Sequence, residues 1–503
     1  MLYLSKSKYC CLWQCPKMAW LNKYKPEVKT EDPDLQARFD VGNEIGDLAM
    51  GLFVDLVEVT TIKDGKLDLS EMIRRTKEEM EKDTPVICEA SFSYRGLYCA
   101  VDLLRKDGDG WAIYEVKSSV NNEDDQEKKP IYMADISYQK YVLEHCGVNV
   151  TGTYLVSVNN KYVRGEELDL QEFFYVLNVD DEVEAEKQNV EGNLKLAEKI
   201  LSCTEEPDYD LDLRCHDPYN CSYWNYCSRH IPSPNVFDLY GMFFKNKIKY
   251  YNKGLIDYES LKDSGCIKSD KQLRQIDFAL NDRGTYTEPE HIREFLDQLS
   301  YPLYFLDFET MKPTVPQFPG TCPNQQIPFQ YSLHYIEHEG GELYHKEFLA
   351  YPGEDPRRAI AESLVRDIPM DVCTTAYNKS FECTRLSELA EAYPDLAEHL
   401  LNIRDHIVDL LDPFKDGYYY NRAMGGLFSI KSVLPAIFPD DPALNYHNLD
   451  EVHNGTEAMN IFPAIQHMPE EEQKEARHNL LKYCELDTFA MVKVWEELRR
   501  ASK

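Results

Sequence analysis

Tyr304-Phe-Leu-Asp307-Phe-Glu309-Thr sets two carboxylates two residues apart within an apolar run. In a strand, residues i and i+2 share a face, so Asp307 and Glu309 point the same way. Two carboxylates on the buried side of a strand are costly unless a cation neutralises them. Further on, Leu481-Lys-Tyr483-Cys-Glu-Leu-Asp487 places Tyr483 and Asp487 four residues apart, on one face of a helix. Between them, Tyr377-Asn378-Lys-Ser-Phe381-Glu382 carries another acid, and Asp409 in Ile-Val-Asp-Leu-Leu is a second candidate. In Gly425-Gly-Leu-Phe-Ser429-Ile-Lys431, Ser429 or Lys431 could touch a phosphate, although an ordinary exposed lysine fits Lys431 equally well.

A second constellation lies earlier. Cys99-Ala-Val-Asp102 and Trp111-Ala-Ile-Tyr-Glu115-Val-Lys117 read as two strands joined by a turn, Asp107 to Gly110. Glu115 and Lys117 share a face, and simple hairpin register brings Asp102 beside them. Such a pair of acids wants an oxygen-liking divalent ion, Mg²⁺ or Mn²⁺. The lysine could orient or deprotonate an attacking water. An ordinary solvated hairpin face is the plain alternative. Cysteines form a third set: Cys15 near the start, then Cys215, Cys221 and Cys227 within thirteen residues. Four thiolates can hold a [4Fe–4S] cluster or a zinc ion, and spacing does not decide between them. Cys10 and Cys11 compete with Cys15 for the early position, and unligated thiols remain the alternative.

These residues need elements to hold them. For residues 1–230 the pattern predicts a helix over 35–57, strands over 86–92, 98–105 and 111–117, and a loop over 121–129. A helix over 133–146, a strand over 151–158 and a long helix over 180–203 follow. Residues 231–290 read as a charged helical connector. Residues 291–503 predict strands over 303–308, 328–336, 344–350 and 372–376, with helices over 356–367, 379–391 and 470–499. The fold class expected is α/β, with two mixed-sheet domains flanked by helices.

Composition bounds the function. A length of 503 residues implies more than one core. The 88 acidic against 55 basic residues give a formal charge of −33, which argues against a passive nucleic-acid coat. It leaves room for a nuclease with local basic grooves. No secretion signal and no run of about 18 apolar residues is visible, so a cytoplasmic protein without membrane contact is expected. Fifteen cysteines then suggest thiols and ligands rather than a disulfide framework.

The order Asp102, turn, Glu115-x-Lys117 resembles the PD-(D/E)xK nuclease core. Gly42-Asn-Glu44-Ile-Gly46 stands where RecB-like nucleases carry a metal-binding His, with Glu44 in that place, and Glu89 lies one strand before Asp102. Asp135-Ile-Ser-Tyr-Gln139 resembles the Gln motif of the same nucleases, with Gln139 bonding a catalytic or substrate oxygen. An early cysteine plus a late trio resembles iron–sulfur nucleases of the CRISPR-associated and AddB groups, which favours [4Fe–4S] over zinc, although the first gap of the trio is wider here. Asp307-x-Glu309, the Glu382 segment and Tyr483-x3-Asp487 resemble DEDDy exonucleases of the DnaQ-like, RNase H-like class, with Glu382 standing where Asp is usual. That resemblance implies 3′–5′ hydrolysis with two ions about 4 Å apart, Tyr483 positioning the attacking water.

Together with Tyr3-Leu-Ser-Lys-Ser-Lys, Gln330-Tyr-Ser-Leu-His334 and Phe428-Ser-Ile-Lys-Ser-Val-Leu-Pro435, the chain is similar to a bacterial family. That family fuses an iron–sulfur RecB-like domain (here 1–230) to a DnaQ-like exonuclease domain (291–503), formerly of unknown function. The resemblance implies a nuclease acting on DNA rather than RNA, in repair or defence against foreign DNA. One live site beside a binding module, and a scaffold of decayed nuclease folds, are the other readings. Protein partners are not legible.

Overall fold

The structure is a computed structural model that describes residues 3–31, 35–121, 129–444, 452 and 454–503. It is a mixed α/β protein and divides into two compact units. One comprises Met1–Ile231 with Thr314–Asn324, the other Pro232–Pro313 with Gln325–Lys503. The helices of the expected connector, Phe244–Tyr251, Tyr258–Ser264 and Asp270–Leu280, belong to the second unit.

The first unit contains β1 (Leu4–Ser5), β2 (Leu56–Glu58), a small hairpin of β3 (Ile62–Lys63) and β4 (Lys66–Leu67), then β5 (Val86–Tyr94), β6 (Leu97–Asp107), β7 (Gly110–Asn121), β8 (Val150–Asn159) and β9 (Phe174–Asn178). The main sheet runs β2-β5-β6-β7-β8-β9, with β1 parallel to the start of β6. Strands β5, β6 and β7 form an antiparallel meander, and β7 pairs parallel with β8. Helices Lys6–Gln14, Pro16–Tyr24, Lys129–His145 and Asp180–Ser202 build one core through Tyr9, Leu12, Trp20, Tyr138, Val142 and Val190. The Leu35–Met50 helix builds another through Ile45 and Ala49, against Leu103, Tyr114 and Val156.

The helix expected over 35–57 stops at Met50. Gly51 begins a turn, Asp55 takes φ +56, and Leu56–Glu58 pairs with Val86–Cys88 as a strand. Edge pairing of an apolar run outweighs its helical period. Of the loop expected over 121–129, residues 122–128 lie outside the described residues.

The second unit contains β10 (Thr285–Thr287), β11 (Leu303–Met311), β12 (Ile327–Ile336), β13 (Leu343–Leu349), β14 (Cys373–Ala376), β15 (Ile407–Asp409) and β16 (Tyr419–Asn421). Its five-stranded sheet runs β13-β12-β11-β14-β15: the first three are antiparallel, and β11, β14 and β15 are parallel. Alternation along β11 decides the layers. Tyr304, Leu306 and Phe308 face the helices Arg357–Asp367, Ser380–Ala392 and Ala397–Asp405. Phe305, Asp307 and Glu309 take the opposite face, where Phe305 meets Trp495 of the C-terminal helix, Glu470–Ala501, at 5.9 Å between ring centroids. That helix opens with Glu470, Glu471 and Glu472 and closes with Arg499 and Arg500, charges that complement its dipole. Among the described residues no helix is long and apolar enough to cross a membrane.

Candidate active sites

In the second unit the central strand delivers Asp307 and Glu309 side by side, opposite Ser332 and Gln330 of β12, and a register shift follows Glu309. The C-terminal helix lays Tyr483, Cys484 and Asp487 against them. Ligand atoms of Asp307, Glu309 and Cys484 lie within 4.8 Å of one another, and Cys484 Sγ is 3.9 Å from Asp307 Oδ2. Glu382, in the first turn of Ser380–Ala392, is buried, and its Oε2 has no hydrogen-bond partner.

These acids feel one another. Burial, then Asp487, Glu309 and Glu382, push the Asp307 carboxyl well above the usual range. Burial and Asp487 do the same to Glu309, and burial with nearby Asp409 raises Glu382 to about 8. The structure therefore brings Asp307, Glu309, Glu382 and Asp487 into one electrostatic cluster. Among the described residues, no lysine, arginine or histidine forms an ion pair with Asp307, Glu309 or Glu382. A hard-oxygen donor set with an orphaned buried oxygen fits a divalent cation.

Lys431 Nζ donates to the Tyr483 hydroxyl at 2.8 Å, so both residues reach this cluster. Ser429 is the N-cap of the Ile430–Ile437 helix, its hydroxyl 2.9 Å from that of Ser432. Asp409 has a different task. Its carboxylate accepts from the amides of Asn378 (2.8 Å), Lys379 (3.1 Å) and Leu411 (3.0 Å). It thereby fixes the turn where Asn378 takes φ +69, just before the Glu382 helix.

In the first unit the alternation of β5 slips by one residue at Glu89, which takes φ +55. Ile87 and Ala90 face one core, Val86 and Cys88 the other. The partner strand slips likewise at Asp102, since Val101 and Leu104 face the first core and Leu103 the second. The β6–β7 ladder ends at Leu103–Tyr114, and Asp102 Oδ2 accepts from the Val116 amide instead, at 2.7 Å.

Asp102, Glu115, Lys117 and Gln139 thus converge, with two additions. Lys6 Nζ bridges Asp102 Oδ1 (3.1 Å) and both Glu115 oxygens (3.2 Å each). Asp135 accepts from Lys117 (2.8 Å) and Gln139 (3.0 Å). Glu115, only 1% exposed, also receives Lys117 at 2.5 Å and Gln139 at 2.7 Å. Burial, then Asp102 and Asp135, raise its carboxyl to about 7. Burial opposes the charge on Lys117, but Asp135 and Glu115 hold its pKa well above the ordinary value. In this arrangement it is an ammonium held between two carboxylates. Burial and Asp102 raise Glu89 to about 7, with Asp47 also contributing. Glu44 is exposed as a residue, and partial desolvation of its carboxyl is the one cause that raises it. The acid that Glu89 feels from the Leu35–Met50 helix is Asp47, one turn beyond Glu44.

Lys6 and Asp47 escape sequence reading because only the pairing of β1 with β6, and the packing of one helix, bring them in. Asp135 could have been found: it lies four residues before Gln139, on the same helix face.

Cys15 is the N-cap of the Pro16–Tyr24 helix. It is an electrostatic neighbour of Cys215, Cys221 and Cys227 alike. Cys11 reaches Cys221, whereas Cys10 faces Asp135 and Lys117. Burial raises Cys215 to about 12 and Cys221 to about 11. Gln14 ties the N-terminal helix to this loop, donating to the carbonyls of Arg214 (3.0 Å) and Tyr219 (2.7 Å). The four thiols are electrostatic neighbours, and a metal or cluster bound by them would draw them into the thiolate form.

A family model described as a domain of unknown function (DUF2779) matches residues 304–429. The match spans Asp307, Glu309, Glu382 and Asp409, and stops short of Lys431, Tyr483 and Asp487. No curated protein and no solved structure matches the chain.

Proposed function

We propose that the chain is a cytoplasmic, metal-dependent nuclease hydrolysing phosphodiester bonds of DNA, in repair or defence against foreign DNA. The C-terminal unit is read as a DnaQ-like, RNase H-like exonuclease of the DEDDy class. The N-terminal unit is read as an iron–sulfur RecB-like PD-(D/E)xK nuclease. One observation carries the proposal: Asp307, Glu309, Glu382 and Asp487 share one cluster in which burial and mutual repulsion outweigh the nearby Lys431 and raise Asp307, Glu309 and Glu382, an excess of acid that bound cations would relieve near neutral pH. Mg²⁺ or Mn²⁺ at these carboxylates would supply charge for an attacking water and a leaving oxygen. Tyr483, held by Lys431, would orient that water. Cys15, Cys215, Cys221 and Cys227 would hold a [4Fe–4S] cluster that staples the chain's start to the end of its first unit.

The test is to assay Asp307→Asn and Lys117→Ala separately on labelled single-stranded and duplex DNA and RNA, with Mg²⁺ or Mn²⁺. Loss of 3′–5′ degradation in Asp307→Asn alone supports the C-terminal assignment. Unchanged cleavage in both variants overturns the reading, and a preference for RNA would reassign the substrate. A second reading, with one live site, is favoured by the Lys6 bridge, because an ammonium already occupies the space between Asp102 and Glu115. Anaerobically purified protein should be brown if the cysteines hold iron.

A further inference from the structure

A fourth group of ligand atoms lies in the second unit, on residues given no catalytic role, although Glu485 stands between Tyr483 and Asp487 on the C-terminal helix. His334 of β12 and His345 of β13 are register partners on neighbouring strands, their rings 4.5 Å apart. Glu485 comes from the C-terminal helix, and one ligand atom from each of the three lies within 4.8 Å of the others.

The hydrogen bonds around this group engage one nitrogen of each ring. Thr488 Oγ1 lies 3.2 Å from the Glu485 carbonyl, 2.7 Å from Ser332 Oγ and 2.8 Å from His334 Nδ1. Ser332 Oγ also lies 2.9 Å from His345 Nε2. With His334 protonated on Nδ1 and His345 on Nε2, every contact of this chain is satisfied, and lone pairs are left on Nε2 of His334 and Nδ1 of His345. Burial, with His345 beside it, lowers the His334 pKa to about 4, so the ring is neutral at physiological pH. Glu485 gives one oxygen to Lys482 at 2.6 Å. Its other oxygen stands 4.0 Å from His345 Nδ1, too far for a hydrogen bond.

Two imidazole lone pairs and a carboxylate oxygen, each imidazole held through its other nitrogen, is how proteins present a divalent transition metal. Mixed nitrogen and oxygen donors favour a zinc-type ion over Mg²⁺, which prefers oxygen alone. We propose that His334, His345 and Glu485 form a zinc-class site separate from the carboxylate cluster. It would fasten the β12–β13 hairpin to the helix segment carrying Tyr483 and Asp487. The proposal stands whether or not the chain is a nuclease, because its test reads metal binding and not cleavage.

The test uses the full chain, stripped with chelator under reducing conditions and titrated with Zn²⁺. Bound metal is counted by elemental analysis, and affinity is measured by competition with a chromophoric chelator. His345→Gln keeps an amide able to bond Ser332, and Glu485→Gln keeps its volume. Each should lose one equivalent of Zn²⁺, or lower its affinity at least about 100-fold, while Ser332→Ala lowers it about 10–100-fold. Asp307→Asn and Cys215→Ser should retain this equivalent. Binding unchanged in both His345→Gln and Glu485→Gln overturns the proposal. So does loss of the ion in Asp307→Asn alone, which would assign it to the carboxylate cluster. X-ray absorption at the zinc edge should show imidazole scattering in Cys215→Ser that His345→Gln reduces.

Discussion

In the N-terminal unit, Asp102, Glu115 and Asp135 share their surroundings with two ammonium groups, Lys6 and Lys117. In the C-terminal unit, Asp307, Glu309 and Glu382 have no such ion pairs among the described residues, and burial with mutual repulsion raises all three. The same residue type serves both places, yet two ammonium groups pair with the acids of one site, while at the other the charge of Lys431 only partly offsets burial and mutual repulsion. A cluster of acids is therefore a weak guide to metal demand until its lysines are placed, and the lysine that matters here comes from the far end of the chain.

The largest effect expected is on the second site. Asp307→Asn should lower 3′–5′ degradation by roughly 10²–10³-fold, the scale of losing one preorganised charge at a reacting centre, measured by release of labelled nucleotides. The contrast sharpens with Lys6→Met. Removing that ammonium leaves Glu115 buried with less compensation, so stability without metal should fall by about 2 kcal/mol, below the roughly 3–5 kcal/mol of a fully buried pair. Mg²⁺ or Mn²⁺ should restore the lost stability in Lys6→Met and change the parent little at this site. Equal metal responses in a denaturation series would break the comparison.

A pH series separates the sites further. Glu382 is raised from 4.5 to about 8 in the folded state, so the native protein binds more protons than the unfolded chain between those values. The contribution of Glu382 to stability without metal is therefore fullest below pH 4.5 and is lost as pH rises towards about 8. Adding Mg²⁺ should therefore raise Tm more at pH 8 than at pH 5, and Glu382→Gln should flatten this dependence. The smallest effect expected is for Tyr483→Phe, which removes a hydroxyl that accepts from Lys431. A loss of about 1 kcal/mol, roughly fivefold in rate, is the scale of one hydrogen bond. It should appear in kcat rather than KM.

Much of the second site was legible because its spacing is local. Asp307 and Glu309 share a strand face by their period of two, and Tyr483 and Asp487 share a helix face by their period of four. The alternation of apolar residues around them marks β11 and the C-terminal helix as core elements. The first site was only half legible. Asp102 and Glu115 follow from local pattern and Gln139 from a resemblance, but Lys6 enters through a two-residue parallel strand pairing across more than ninety positions. Glu89 turns inward through a left-handed backbone conformation that its residue type does not advertise. The helix expected to reach Val57 failed for a similar reason: pairing of Leu56–Glu58 with β5 is a tertiary event. His334 and His345 could be seen as residues but not as partners, since the register of β12 against β13 is set by the whole sheet.

Thr314–Asn324, in the sequence between β11 and β12, is counted with the first unit, where the backbone of Arg164 bonds to Gly320 (2.8 Å) and Thr321 (3.0 Å). The chain consequently passes from one unit to the other three times rather than once. Cutting after Ile231 would release an N-terminal fragment lacking eleven of its own residues, with the amide and carbonyl of Arg164 stripped of their partners. The C-terminal fragment would carry the same eleven residues as an orphan loop a few positions beyond Glu309. Dissecting the two halves therefore calls for inactivating substitutions in the intact polypeptide, or for a graft that returns the segment to its owner.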